Sequence, residues 1–179
     1  MAAVLALAGF MGSGKSTVGR KLAERLGWRF LDLDEAVVRR ARRSIPDIFA
    51  TEGEAGFRAR EAETLAAVLN ECAAEGKEGM VLALGGGVLE NPAAASLLKR
   101  NAVLIYLEVN AEEAWKRVTG SDRPLAQDFA QFAALLAKRK PTYEALADIK
   151  VCAMDKSPDE LAEEIAHVAH ASGLDDKVG

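Results

Sequence analysis

Short, mostly apolar runs punctuate the chain at Val4 to Leu7, Phe30 to Leu33, Met80 to Leu84, Val103 to Val109 and Ile149 to Ala153. Between them the period changes. Leu65, Val68, Leu69 and Cys72 recur at three- and four-residue steps, as do Leu161, Ile165 and Val168, so each set lines one face of a helix. Strands that alternate with such helices predict a parallel sheet covered by helices. Helix starts are marked by Asn110 with Glu113, and by Ser157 with Pro158 and Glu160, whose side chains suit the free amides of a first turn.

No internal repeat, low-complexity tract or Pro-, Gly- and Ser-rich linker divides the sequence, which predicts one domain over residues 1–179. The stretch from Gly120 to Asp128 has the least periodicity. Gly120, Ser121, Asp122, Arg123 and Pro124 combine turn formers with opposite charges, as expected of a mobile surface lid over about residues 120–131. The polar tail after Ser172 is expected to fray.

Half of the 179 residues are hydrophobic, enough for a genuine core. The 23 basic and 27 acidic residues leave a net charge of −4 without a long block of either sign, which argues against a nucleic-acid partner. Cys72 and Cys152 are the only cysteines and lack histidines at metal-ligand spacing, so neither a disulfide framework nor a zinc site is indicated. A reduced cytoplasm is the expected location. The apolar opening from Ala2 to Ala8 has no basic leader and runs straight into glycines, so it reads as a buried strand rather than a secretion signal. No run approaches the roughly 20 apolar residues of a membrane span.

The first chemistry follows the first strand. Gly9, Phe10, Met11, Gly12, Ser13, Gly14, Lys15 and Ser16 form a P-loop pattern, placed before a helix that contains Val18, Leu22 and Leu26. Glycines let the backbone turn several amides toward phosphate oxygens, and the helix start adds positive potential. Gly12, Ser13, Gly14, Lys15, Ser16 and Thr17 are therefore the expected nucleotide-binding residues. Lys15 is placed to reach the β and γ phosphates of ATP, and Ser16 to be a ligand of the accompanying Mg2+.

Asp32 and Asp34 follow the second strand, at the carboxyl edge where parallel sheets place their ligand sites. One acid there can hold the metal through water and the other can orient or deprotonate an attacking hydroxyl. Alternatively, Asp34 caps a helix that begins at Glu35. The third strand lacks the terminal aspartate that many P-loop proteins use for magnesium, which leaves that role to Asp32.

With Gly9 to Thr17, Asp32 and Asp34, the run Gly53, Glu54, Phe57, Arg58 and Glu61, the triplet Gly85 to Gly87, Arg123-Pro124-Leu125, and Arg139 with Tyr143, the sequence resembles shikimate kinases over nearly its whole length. The resemblance implies an α/β P-loop NTPase sandwich of three layers, with a five-stranded parallel sheet flanked by helices and a mobile lid. It also implies transfer of the γ-phosphate of ATP to the 3-hydroxyl of shikimate, a step of chorismate and aromatic amino acid biosynthesis; a monomer with neither a nucleic-acid nor a membrane partner is expected. On the same ground Asp34 meets the ring hydroxyls and serves as base, while Arg58 and Arg139 grip the carboxylate. Gly85, Gly86 and Gly87 become the backbone wall for the substrate, Arg123 the lid arginine, and Arg117 with Pro158 the adenine bracket.

Each assignment has a plainer alternative. Arg58 has Glu54 and Glu61 at helical spacing and can be a surface ion pair. Three glycines can make a tight turn, although each costs conformational entropy. Arg123 can be an idle exposed arginine, Arg117 ordinary charge near a helix end, and Pro158 a helix start. Two other functions also fit the residues: a kinase for another polyhydroxy acid such as gluconate, and a silent nucleotide-sensing module on this fold.

Overall fold

The structure is a computed structural model and describes residues 3–76, 79–119 and 128–171. Five strands, β1 (Val4–Ala8), β2 (Arg29–Asp32), β3 (Met80–Ala83), β4 (Val103–Glu108) and β5 (Ile149–Cys152), form one sheet in the order β2-β3-β1-β4-β5. Every pairing is parallel. Each of the five apolar runs marks a strand, and the three central ones, β3, β1 and β4, are buried on both faces, as strands inside parallel sheets are.

The pleat of β1 divides the core in two. Val4, Ala6 and Ala8 pack on one side with Met80, Leu82, Leu104 and Tyr106, under residues of α3 (Ile45–Glu75), α4 (Pro92–Asn101), α5 (Ala111–Val118) and α6 (Phe129–Leu146). Leu5 and Leu7 face the other way with Val81, Ile105 and Leu107, against α1 (Lys15–Leu26) and α7 (Pro158–Ala171). The expected three-layer architecture follows from this alternation. Leu65, Val68, Leu69 and Cys72 are all buried along α3 as their spacing predicts. On α7 the buried face is Leu161, Ala162, Ile165 and Ala169, with Val168 only half-buried beside it.

The second strand ends one residue earlier than its apolar run. Leu33 already belongs to α2 (Leu33–Ala41) and is fully buried beneath it. An apolar residue at a strand end continues the alternation whether the backbone stays extended or turns helical, so the pattern alone could not place the boundary. The cap is Asp32, whose Oδ1 accepts from the amides of Asp34 at 2.9 Å and Glu35 at 3.2 Å. Asp34, the alternative cap, lies instead inside the first helical turn.

Segment α3 breaks at Gly53, where φ is 69° and ψ −174°, a conformation open to glycine and costly for other residues. Phe57 follows the break and packs with Val37 and Ile48 in a small satellite core shared with α2. Its ring lies 4.9 Å from that of Phe49. The break thus sets the direction in which Arg58 and Glu61 point. Of the expected lid, residues 120–127, Arg123 among them, lie outside the described residues, as does the tail from residue 172. Residues 129–131 form the first turn of α6, capped by Asp128. Among the described residues no helix is long and apolar enough to cross a membrane.

Candidate active site

The loop after β1 is shaped by glycines at Gly9, Gly12 and Gly14, whose φ values are 152°, 82° and 90°. At Gly12 a β-carbon would lie 2.5 Å from the Ala114 carbonyl oxygen, so the loop both needs the left-handed backbone and has no room for a side chain. Gly14 is the N-cap of α1 and offers no side-chain acceptor, which leaves the first amides of the helix facing the cavity above it. This cavity of about 350 Å3 is lined by Gly12, Gly14, Lys15, Ser16 and Thr17 on one side and by Asp32, Asp34, Gly85 and Gly86 on the other. Ser13 is not in that lining. Its hydroxyl is fully buried without a hydrogen-bond partner among the described residues, and its amide donates to Phe10 O at 3.1 Å.

Lys15 Nζ donates to the carbonyl oxygens of Gly9 at 2.7 Å and Phe10 at 3.0 Å, which curls the ammonium over the loop. Ser16 Oγ donates to Asp32 Oδ2 at 2.5 Å. A hydroxyl and a carboxylate oxygen side by side, at the end of the phosphate loop, form the hard-oxygen pair that suits Mg2+ bound mainly by phosphates and water. Asp32 thereby serves twice, with one oxygen on the α2 cap and the other on Ser16.

The glycine triplet follows β3, between the strands that carry the phosphate loop and the two acids. A β-carbon on Gly85 would sit 2.5 Å from Glu61 Oε1 and 3.0 Å from Asp34 Oδ1, and one on Gly86 would sit 3.3 Å from Arg139 Nη1. On Gly87 it would collide with the guanidinium of Arg58. Four polar side chains thus press on the backbone of three consecutive glycines, which a simple turn does not require. The structure brings Asp34, Arg58 and Arg139 to one wall although they come from α2, α3 and α6.

Arg58 forms the ion pairs that its spacing allows, with Glu61 at 2.8 Å and Glu54 at 3.8 Å. These pairs do not make it an idle surface charge, because the guanidinium also abuts Gly87. Glu61 is only 2% exposed, and its second carboxylate oxygen has no hydrogen-bond partner among the described residues. Burial raises the pKa of its carboxyl above the ordinary value, Arg58 opposes that rise, and Asp34 adds to it. Arg139, 4% exposed, donates from Nε to Glu90 Oε2 at 3.0 Å. Tyr143 donates its hydroxyl to the Gly86 carbonyl at 2.5 Å and stacks on Tyr106. Burial pushes the Tyr143 phenol pKa upward and keeps it a donor.

Arg117 lines the cavity and donates to Gly12 O at 3.1 Å and Ala153 O at 3.2 Å, joining the phosphate loop to the segment after β5. Pro158 is the first residue of α7, which opens on a reciprocal cap. Ser157 N donates to Glu160 Oε2 at 2.7 Å, and Glu160 N to Ser157 Oγ at 3.2 Å. Its helix-start role is thus realised, and it is not in the cavity lining. In the sequence Glu61 stands in the Gly53 to Glu61 run and as a partner of Arg58, without a role of its own, and Glu90 does not stand out. The signal for Glu61 was an acid on the same helical face as buried apolar residues. Glu90 had none.

A triphosphate-sized cradle, an acid beside its serine and a polar wall one strand away define the P-loop kinase class, with room for a small anionic acceptor. The family model for shikimate kinase matches residues 11–170. A shikimate kinase of Halorhodospira halophila is 46% identical over 149 residues, 81% of each chain. One from Enterococcus faecalis is 39% identical over 166 residues, 90% of this chain and 95% of its own. The solved shikimate kinase from Acinetobacter baumannii in complex with shikimate superposes with a TM-score of 0.89 at 33% identity, covering 97% of this chain and 96% of that one. The chain belongs to the shikimate kinase family.

Proposed function

We propose that this chain transfers the γ-phosphoryl group of ATP to the 3-hydroxyl of shikimate, giving ADP and shikimate 3-phosphate. One observation carries the reading: the phosphate loop, Asp34, Gly85 and Gly86 line one cavity at one sheet edge, and Arg58 and Arg139, outside that lining, press on the backbone of the same glycine triplet. A ring bearing hydroxyls and a carboxylate matches that donor set.

In this reading the amides of Gly12, Gly14, Lys15, Ser16 and Thr17 hold the phosphates, and Lys15 exchanges the carbonyls of Gly9 and Phe10 for phosphate oxygens. Arg58 and Arg139 pair with the substrate carboxylate through two-pronged hydrogen bonds and fix the ring against the glycines. Asp34 orients the 3-hydroxyl and accepts its proton as the new O–P bond forms, while the bond from the γ-phosphorus to the bridging oxygen breaks and its electron pair leaves with ADP. Ser16 and Asp32 are the residues that would hold Mg2+, which when bound neutralises phosphate charge. Arg117 and Pro158 border the adenine. Arg123, which lies outside the described residues, is assigned the neutralisation of charge growing on the transferring group.

A coupled ADP-release assay tests the proposal with shikimate and gluconate as alternative acceptors. Shikimate-dependent turnover is expected, with D34N reducing kcat by about a hundredfold or more while ATP still binds. Turnover on gluconate alone, or tight ATP binding without turnover on either acid, would refute the substrate assignment.

A further inference from the structure

The geometry points to Glu90 as a positioning residue that aims Arg139 at the acceptor carboxylate. The inference rests on the carboxylate role proposed above for Arg139. Glu90 closes the short 3-10 turn Val88–Glu90, and its amide donates to Gly87 O at 3.1 Å. Just before it, Val88 N donates to Gly85 O at 3.3 Å, so the turn is bonded directly onto the glycine wall. A side chain on this turn is held in register with that wall.

A guanidinium has two edges on which a carboxylate can sit, one using Nε and one using only the two terminal nitrogens. Glu90 Oε2 occupies Nε at 3.0 Å, while Nη1 lies toward Gly86. The terminal edge is therefore the one presented to the wall. The Phe10 ring, 6.0 Å from the guanidinium carbon, borders the same group. The other oxygen of Glu90 lies 3.7 Å from Lys138 Nζ, so a second cation offsets the carboxylate and its charge does not cancel that of Arg139. Reach matters here more than charge. A side chain that spans from the turn to Nε and accepts a hydrogen bond fixes the fork, whether or not it is ionised.

That distinction supplies the test. Initial-rate kinetics on E90A, E90Q and E90D, with R139A and the E90A/R139A double variant, are measured with each substrate varied and alongside thermal unfolding. E90A is expected to raise the shikimate KM about tenfold, the loss of one charge-assisted hydrogen bond, with the ATP KM and kcat little changed. E90Q keeps the reach without the charge and should recover most of the affinity. E90D keeps the charge one methylene short and should behave like E90A. In the R139A background, loss of Glu90 should add nothing further.

A shikimate KM that is unchanged or lowered in E90A overturns the inference, the lowered value meaning that Glu90 competes with substrate for Arg139. So does a good E90D with a poor E90Q, which would make the effect one of charge, and so do additive effects in the double variant. Should E90A fail to fold, the contrast between E90Q and E90D decides alone. A normal shikimate KM in R139A would bring down the reading of Arg139 itself, whereas a raised KM there with unaffected Glu90 variants would bring down only the role of Glu90.

Discussion

Substituting alanine at Gly87 separates the anion grip from the fold. Gly87 has φ −105° and ψ 1°, values that alanine adopts readily, so the backbone sets no obstacle. The obstacle is Arg58. Its carbon Cζ would lie 2.6 Å and its Nη1 2.8 Å from the new β-carbon, so the guanidinium must leave its place against the wall. Those atoms are the far end of a flexible side chain, and the cost to folding is small provided that the guanidinium keeps its ion pair with the buried Glu61 as it shifts. Loss of conformational freedom in the unfolded chain even favours alanine by about 0.4–1 kcal/mol. The grip is another matter. A hydrogen bond to a charged group contributes about 1.5–3 kcal/mol, so displacing Arg58 should raise the shikimate KM about ten- to a hundredfold. Steady-state kinetics with each substrate varied, together with thermal unfolding, provide the assay. Expected are a Tm within a few degrees of wild type, an unchanged ATP KM and a raised shikimate KM. A normal shikimate KM would show that the place of Arg58 against Gly87 has no part in binding, and a collapsed Tm would show the wall to be structural.

Three more outcomes follow. R139K should raise the shikimate KM about tenfold, because an ammonium cannot reproduce the planar fork, and an unaltered value would remove Arg139 from the carboxylate site. D32N keeps a good helix cap but loses the charge beside Ser16, so it should leave Tm nearly unchanged and raise the Mg2+ needed for half-maximal rate about tenfold; an unshifted Mg2+ profile would contradict the metal assignment. Burial raises the Glu61 pKa, so folding takes up a proton there, and the associated stability is present below the ordinary carboxylate pKa and lost as pH rises through the folded value. The Tm of wild type minus that of E61Q should therefore fall as pH rises through and above the ordinary carboxylate range, and a flat difference would show that Glu61 is not perturbed.

The sheet was legible because its central strands are buried on both faces and each strand interrupts the helical period. The phosphate loop was legible because its residues, Gly9 to Ser16, form one unbroken stretch of sequence, and its chemistry is local. Glu90 was not, since 49 residues separate it from Arg139 and only the packing of α6 over the turn after β3 brings them together. Glu61 shows its ion pair in its spacing, but its burial depends on the break at Gly53 and the position of Gly85. Ser13 sits inside the loop motif and yet turns its hydroxyl into the interior, a detail that spacing does not encode. The boundary at Leu33 failed for a simpler reason, since an apolar residue satisfies strand and helix alike.

The strand order has a consequence for how the acceptor is held. β3 lies between β1 and β2, so the loop carrying Lys15 and the turn carrying Asp34 stand two interstrand steps apart, roughly 10 Å along the sheet edge. The glycine triplet at the end of β3 occupies that middle step, so an acceptor beside Asp34 rests on main chain, and any β-carbon added there takes away space that the acceptor would use.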